Sequence, residues 1–454
     1  MSEIATTRGG ESIGDRSFRN TARSVSSGLR RLVFGILLTL IGLTAAFYRD
    51  FSYIGIRLGG TPLYVTELSL LLILAVLVLE SFQMGQVRVR LLPSGIFAGL
   101  YLAWGAFCLA RGVEDGLVSV RESAANYYAI FYFLVAGLVA HQRDLDRLWR
   151  ILLIGTCAAA VVILARVATG FQVITSTGAI RFHAPVAVGA SATLFWLLGV
   201  PAKQAWKRTL CITGACACLF TIVVATQHRS AALALAASLF LWLALFERGR
   251  SVHSIGSRKA TIAIVVTGMI LLLLMPEVGR LTAGRLRTIG SNLEEFNATW
   301  RLLYWGLLLT NIWQSPVLGF GFGDNLPVFQ FRGVWFGLDP AAPAGVHNSF
   351  LFVWYKEGLV GLILLVGFSI SVLWTVSRQL RGRSVRSELW QASAASSAFA
   401  FVAVFAFFNV VLEGPYMGIF FWIFAAMAEL AVVLSGRAGD GRLAPNPAKA
   451  TAIE

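Results

Sequence analysis

Twelve predominantly apolar stretches recur along the chain, near 32–48, 63–82, 95–111, 124–141, 148–168, 183–200, 209–226, 230–246, 260–275, 348–377, 389–410 and 416–435. Roughly 20 such residues, within a range of about 17 to 25, span the hydrocarbon of a bilayer as a helix. Backbone polar groups cannot stay unpaired in hydrocarbon, so only helices and closed barrels cross it. These stretches lack the alternation of barrel strands, which leaves helices. With 57% hydrophobic and 13% charged residues, the chain also has too little polar surface for a soluble globule. The sequence predicts an all-α polytopic membrane protein of about twelve transmembrane helices.

Basic loops resist translocation and so set orientation. With the N-terminus placed in the cytoplasm, the inside segments hold 25 of the 38 Lys and Arg residues, and every inside loop is basic. Both termini are then cytoplasmic. The net charge of +15 is mostly this topological signal. Because it is spread over many loops, it is not the footprint of a nucleic-acid face. Residues 1–31, rich in Ser, Thr, Gly and Arg, read as a disordered cytoplasmic tail that touches anionic lipid. The stretch 32–48 lacks a small-x-small cleavage site and reads as a retained first helix.

The resulting organisation is a tail at 1–31, helices one to nine at 32–275, an external loop at 276–346, helices ten to twelve at 347–435, and a second tail at 436–454. The loop of 71 residues is the only long interruption and the expected seat of chemistry. It carries a dense aromatic run and the Gly-rich stretch Gly319-Phe320-Gly321-Phe322-Gly323. The apolar run Leu302 to Leu309, flanked by Arg301 and Gln314, is too short to span and predicts an interfacial or re-entrant helix inside it. Cys108, Cys157, Cys211, Cys216 and Cys218 all lie in apolar stretches, with no spacing that fits a metal site.

On the external side three positions stand out. Arg229 sits in the short hairpin Thr226-Gln227-His228-Arg229-Ser230, where its charge is held at the mouth of two helices. From position alone it is equally an interfacial anchor or a functional charge. Arg301 opens the short loop helix among Trp300, Tyr304 and Trp305, company that also fits a head-group contact. His347 precedes Asn348, a good N-cap for the helix that follows, so its imidazole is expected near the positive end of a helix dipole. That field keeps the ring neutral, as a proton acceptor must be.

Together these residues resemble the bacterial O-antigen ligase family and its polysaccharide polymerase relatives. Thr226 to Leu233 is similar to the family's short arginine turn. Arg301, Trp305 and Ser315-Pro316-Val317-Leu318-Gly319-Phe320-Gly321-Phe322-Gly323 resemble its loop signature. The most specific element is His347-Asn348-Ser349-Phe350-Leu351, continued by Glu357-Gly358-Leu359-Val360-Gly361-Leu362. Asn409 and Pro415 before the last helix also fit, whereas Gln227-His228 and the segment Arg181 to Pro185 depart from the usual pattern.

The resemblance implies a multi-pass protein of the bacterial inner membrane whose active site faces the periplasm. It implies a metal-independent, inverting glycosyltransferase of the GT-C type, needing no cofactor. The donor would be an undecaprenyl-diphosphate-linked glycan, and the acceptor lipid A core or a growing polysaccharide. Arg229, Arg301 and His347 match the family's functional residues, with the arginines on the diphosphate and the histidine as base or acceptor-orienting group. Arg181, Arg332 and Asn348 are the expected substrate contacts, and Phe329, Phe331, Trp335 and Phe336 could stack on sugars or form an interfacial belt. Glu357 is assigned no catalytic role. A small-anion or glycan transporter is the rival reading, and an inactive component of an export machine a third.

Overall fold

The computed structural model describes residues 13–58, 61–84, 90–112, 116–169, 185–201, 204–226, 228–246, 296–323, 326–331, 334–336, 346–381 and 389–440. In chain order the helices are α1 (Ile13–Phe47), α2 (Arg49–Ser52), α3 (Val65–Met84), α4 (Gly95–Arg111), α5 (Leu117–Glu122), α6 (Ala124–Tyr127), α7 (Ile130–Leu138), α8 (Gln142–Ala168), α9 (Val186–Gly199), α10 (Ala205–Phe220) and α11 (Arg229–Phe246). After the long interruption come α12 (Phe296–Ile312), α13 (Ser349–Arg381), α14 (Trp390–Phe408) and α15 (Gly418–Asp440).

Eleven of the twelve apolar stretches coincide with helical segments, and the twelfth, 260–275, lies outside the described residues, as does 276–295 of the loop. Seven helices among the described residues are long and apolar enough to cross a membrane, and four apolar helices are shorter. The chain is therefore an all-α polytopic membrane protein in its spanning part. It departs from all-α at two antiparallel hairpins, β1 (Gly55–Leu58) with β2 (Thr61–Tyr64), and β3 (Phe329–Phe331) with β4 (Val334–Phe336). The second falls in the aromatic run, where closely spaced β-branched and aromatic residues favour strand over helix. Helix α1 begins at Ile13, inside the stretch expected to be a disordered tail. Residues 15–27 contain neither Gly nor Pro, so nothing local stops the first spanning helix from extending towards the N-terminus.

Helices α14 and α15 form the centre of the bundle. The first turns of α14, Gln391-Ala392-Ser393-Ala394-Ala395-Ser396-Ser397-Ala398, are all buried. Such small side chains let neighbouring backbones approach closely where lipid offers no hydrophobic drive to association. Helices α9, α11 and α15 pack along α14, and this contact carries the start of α11 to the end of α14.

Helix α13 is broken at Gly358, whose φ of 68° and ψ of −172° lie far from helical values. A break in a spanning helix frees backbone groups that hydrocarbon cannot satisfy. The Gly-rich segment satisfies them: Phe320 N and Gly321 N donate to Tyr355 O and Lys356 O at 2.9 Å, and Leu359 N donates to Pro316 O at 2.8 Å. The two chains meet so closely that a Cβ on Gly358 would stand 2.1 Å from Val317 O, and one on Gly319 would stand 2.4 Å from Gly358 N. At the same place the buried Lys356 Nζ bonds Glu122 Oε2 at 2.7 Å, and Gly323 N donates to that same oxygen at 2.7 Å. The Gly-rich stretch is thus a strap fastening the loop to a kinked helix.

Candidate active site

Helix α12 brings one face to the segment before α13. Trp300 and Tyr304, and Arg301 and Trp305, are each four residues apart and so stand one above the other in two rows of the helix. Trp305 Nε1 donates to Val346 O at 2.7 Å, and the Trp300 ring meets the His347 ring edge-on, with centroids 5.2 Å apart. The Arg301 guanidinium lies 5.7 Å from the Trp300 ring centroid and bridges two elements. Its Nη1 donates to Phe408 O, and its Nη2 faces His347 Nδ1, each at 3.3 Å.

His347 adopts a φ of 45°. A non-glycine residue in this region carries strain of about 1–3 kcal/mol, which persists only where the surroundings enforce it. On one side Trp305 fixes Val346. On the other, Asn348 Oδ1 accepts from Phe350 N and Leu351 N at 3.0 Å each, the N-cap that its position predicts. The imidazole is half-buried, and its pKa is lowered to about 3, by burial first and by Arg301 second. The neutral ring expected from the sequence is therefore found, with desolvation and a neighbouring cation as its causes.

A guanidinium only donates hydrogen bonds. Nδ1 of His347 is consequently the acceptor in this contact, and the neutral ring carries its proton on Nε2. Nδ1 is then the nitrogen able to take a proton, and Arg301 occupies it.

The third residue arrives on α11. Its hairpin follows a π-helical turn at Thr221–Ala225, and Thr226 N closes that turn on Thr221 O at 3.0 Å. Arg229, half-buried, is the first residue of α11. The adjacent Ser230 Oγ accepts from Asn409 Nδ2 at 2.9 Å, at the end of α14. That end also receives Ser349, whose Oγ accepts from Val411 N and Leu412 N and donates to Glu413 Oε2 at 2.6 Å. The segment 408–413 therefore bonds Arg301 directly, Ser230 next to Arg229, and Ser349 two residues after His347. Glu413, which the sequence reading did not single out, is fully enclosed. Burial pushes its carboxyl up to about 7, against hydrogen bonds from Ser349 and the local backbone. Its signal was that it is the lone acidic residue between the last two apolar stretches.

An apolar groove of about 520 Å³ is lined by Trp305 and Leu309 of α12, by Asn348, Phe350 and Trp354, and by Phe407; Arg301 and His347 do not line it. Asn348 has its Oδ1 engaged in the cap, yet it lines this groove. Arg181 and Arg332, the other expected substrate contacts, lie outside the described residues. Lys356 and Glu357 are structural in their contacts: the first pairs with Glu122, and the second accepts from Tyr101 Oη at 3.0 Å.

The family model described as O-antigen ligase matches residues 214–366, so the resemblance read from the motifs holds over the stretch that carries Arg229, Arg301 and His347. No curated protein matches the sequence. One solved chain, from work described as "Structural coordination of polymerization and crosslinking by a peptidoglycan synthase complex", shares 16% identity. The likeness covers 76% of this chain and 96% of that one at a TM-score of 0.41, too loose to bear on fold or function.

Proposed function

Starting from the O-antigen ligase match over residues 214–366, we propose that this chain is an inner-membrane glycosyltransferase. On this reading it moves a glycan from undecaprenyl diphosphate to a periplasmic acceptor, either as a ligase or as a polymerase of surface polysaccharide. The observation that carries the reading is the contact of Arg301 with a neutral, half-buried His347, next in sequence to Asn348, which lines an apolar groove. A polyprenyl-diphosphate substrate has a long apolar tail and a doubly charged head, and this juxtaposition suits both parts.

The reaction makes two demands: negative charge growing on the departing diphosphate must be stabilised, and the acceptor hydroxyl must lose a proton. Guanidinium groups donate paired hydrogen bonds to phosphate oxygens, a role we give to Arg229 and Arg301. As Arg301 turns to the diphosphate, its Nη2 leaves His347 Nδ1. The exposed lone pair takes the acceptor proton as the acceptor oxygen bonds the anomeric carbon. The electron pair of the broken carbon–oxygen bond stays on the diphosphate, which leaves on its polyprenyl chain. Asn348 lines the path of the donor, and Arg181 and Arg332, as external arginines, remain candidate substrate contacts. Metal independence and inversion at the anomeric carbon belong to the same reading.

Purified protein in lipid, given a polyprenyl-diphosphate glycan and an acceptor saccharide, should release polyprenyl diphosphate and form the glycoside. Absence of transfer together with substrate-driven flux into vesicles would establish a transporter instead. Lipid-linked glycan accumulating in a deletion strain separates the two enzymes: long chains mark a missing ligase, single repeat units a missing polymerase.

A further inference from the structure

The hairpin β1–β2 joins two helices that are candidate spans, one ending at Phe47 and one starting at Val65. Its strands are four residues long, a rise of about 14 Å, so it stays near the membrane surface. All four residues of β1 are exposed. Alternation places Ile54, Ile56 and Leu58 on one face, and the register adds Leu63 opposite Ile56. Ile54, Ile56 and Leu58 are 59%, 51% and 48% exposed, an apolar ridge that no part of the described protein covers.

The other face is occupied. Tyr64 is buried there, edge-on to Tyr53 at 4.8 Å, with the Arg121 guanidinium 4.7 Å from its ring centroid. Tyr53 also meets Tyr416, at 5.6 Å between centroids, three residues beyond Glu413 in the loop that gathers the candidate site. The exposed Phe47 and Arg49 precede the hairpin in sequence and the exposed Arg57 alternates to its other face, while Asp50 is paired with Arg166. Apolar side chains flanked by arginine and aromatic residues at the level of the membrane surface match the boundary between acyl chains and anionic head groups.

We propose that the Ile54–Ile56–Leu58 face is seated in the lipid head-group boundary, and that Tyr53 couples the seated hairpin to Tyr416 and the loop 409–416. This rests on the membrane-spanning fold and is independent of the transferase reading. The test uses the full chain with its five cysteines replaced by Ala, carrying a spin label at Ile56→Cys or Arg57→Cys, in vesicles of phosphatidylethanolamine and phosphatidylglycerol. Both positions are exposed, so the label itself should not perturb folding. The label at 56 should collide with dissolved oxygen and be shielded from a water-soluble nickel chelate, with the opposite preference at 57. Equal nickel access at both positions would place the ridge in water and overturn the proposal. A label at 56 immobilised and shielded from both agents would also overturn it, by showing that protein, a second copy or another chain, covers the ridge.

Discussion

Arg301 Nη2 stands 3.3 Å from His347 Nδ1, and because a guanidinium has no lone pair to offer, this contact fixes the histidine tautomer. On the proposed reading the cation has two alternative partners, the imidazole it meets here and a phosphate oxygen of the donor. On the same reading, binding of the donor head group and exposure of the base are one event, and a hydroxyl acceptor meets an available base only when the leaving group is in place.

His347→Gln and His347→Ala should both lose transfer by about 10²–10⁴-fold, the usual range for a general base. Glutamine retains a hydrogen-bond donor but takes no proton at neutral pH. Turnover of the Gln variant near wild type, with the Ala variant inactive, would make the histidine an orienting group. Membrane abundance of both should be unchanged.

The pH profiles should separate free and occupied enzyme. In the free protein the imidazole pKa is lowered to about 3, so kcat/KM should show no acid limb near the ordinary histidine value of 6.5. A bound diphosphate brings negative charge and draws Arg301 away, so the acid limb of kcat should lie at higher pH. Coincident limbs would contradict the exchange of partners. For stability the sign is the usual one for a depressed group: the contribution is complete above 6.5 and is lost as pH falls towards about 3.

Glu413 titrates in the opposite sense. Its carboxyl is raised to about 7, so the folded state binds a proton that the unfolded state releases near 4.5, and its contribution to stability falls as pH rises between those values. The difference in thermal stability between the wild type and Glu413→Gln should shrink as pH rises from 5 to 8, because the opposing contribution of His347 is common to both. A difference that stays constant with pH would mean that the carboxyl is not held protonated.

Lys356→Met should destabilise the protein by about 3–5 kcal/mol, the cost of leaving a buried partner charge uncompensated. Both side chains of the pair are almost wholly enclosed, at 0% and 3% exposure. Adding Glu122→Gln should recover much of the loss, since the amide oxygen still accepts from Gly323 N. Thermal unfolding of the single and double variants in detergent decides this, and equal stability of the two would contradict it.

The spanning helices were legible because apolar length is a local property, and the Asn348 cap because capping reaches only three residues. Distant pairing was less legible. The break at Gly358 makes sense only with Pro316–Gly321 laid against it, and the Gly-rich stretch, to which the sequence alone gives no role, supplies the close approach that this packing needs. The sequence predicts a neutral His347 from a local helix dipole, whereas in the structure enclosure and an arginine 46 residues away lower its pKa. Glu413 escaped notice because an isolated carboxylate becomes informative only once its burial against Ser349 is known.

The central claim is tested most directly by counting products of one reaction. Wild-type protein and the Arg229→Ala, Arg301→Ala and His347→Ala variants are incubated in lipid with a polyprenyl-diphosphate glycan and an acceptor saccharide, and both polyprenyl diphosphate and new glycoside are quantified by mass spectrometry. The wild type should release one diphosphate for each bond formed, and each variant should do neither while remaining folded. Wild-type levels of both products in any one variant would remove that residue from the site, and no products from the folded wild type would contradict the assignment as a glycosyltransferase.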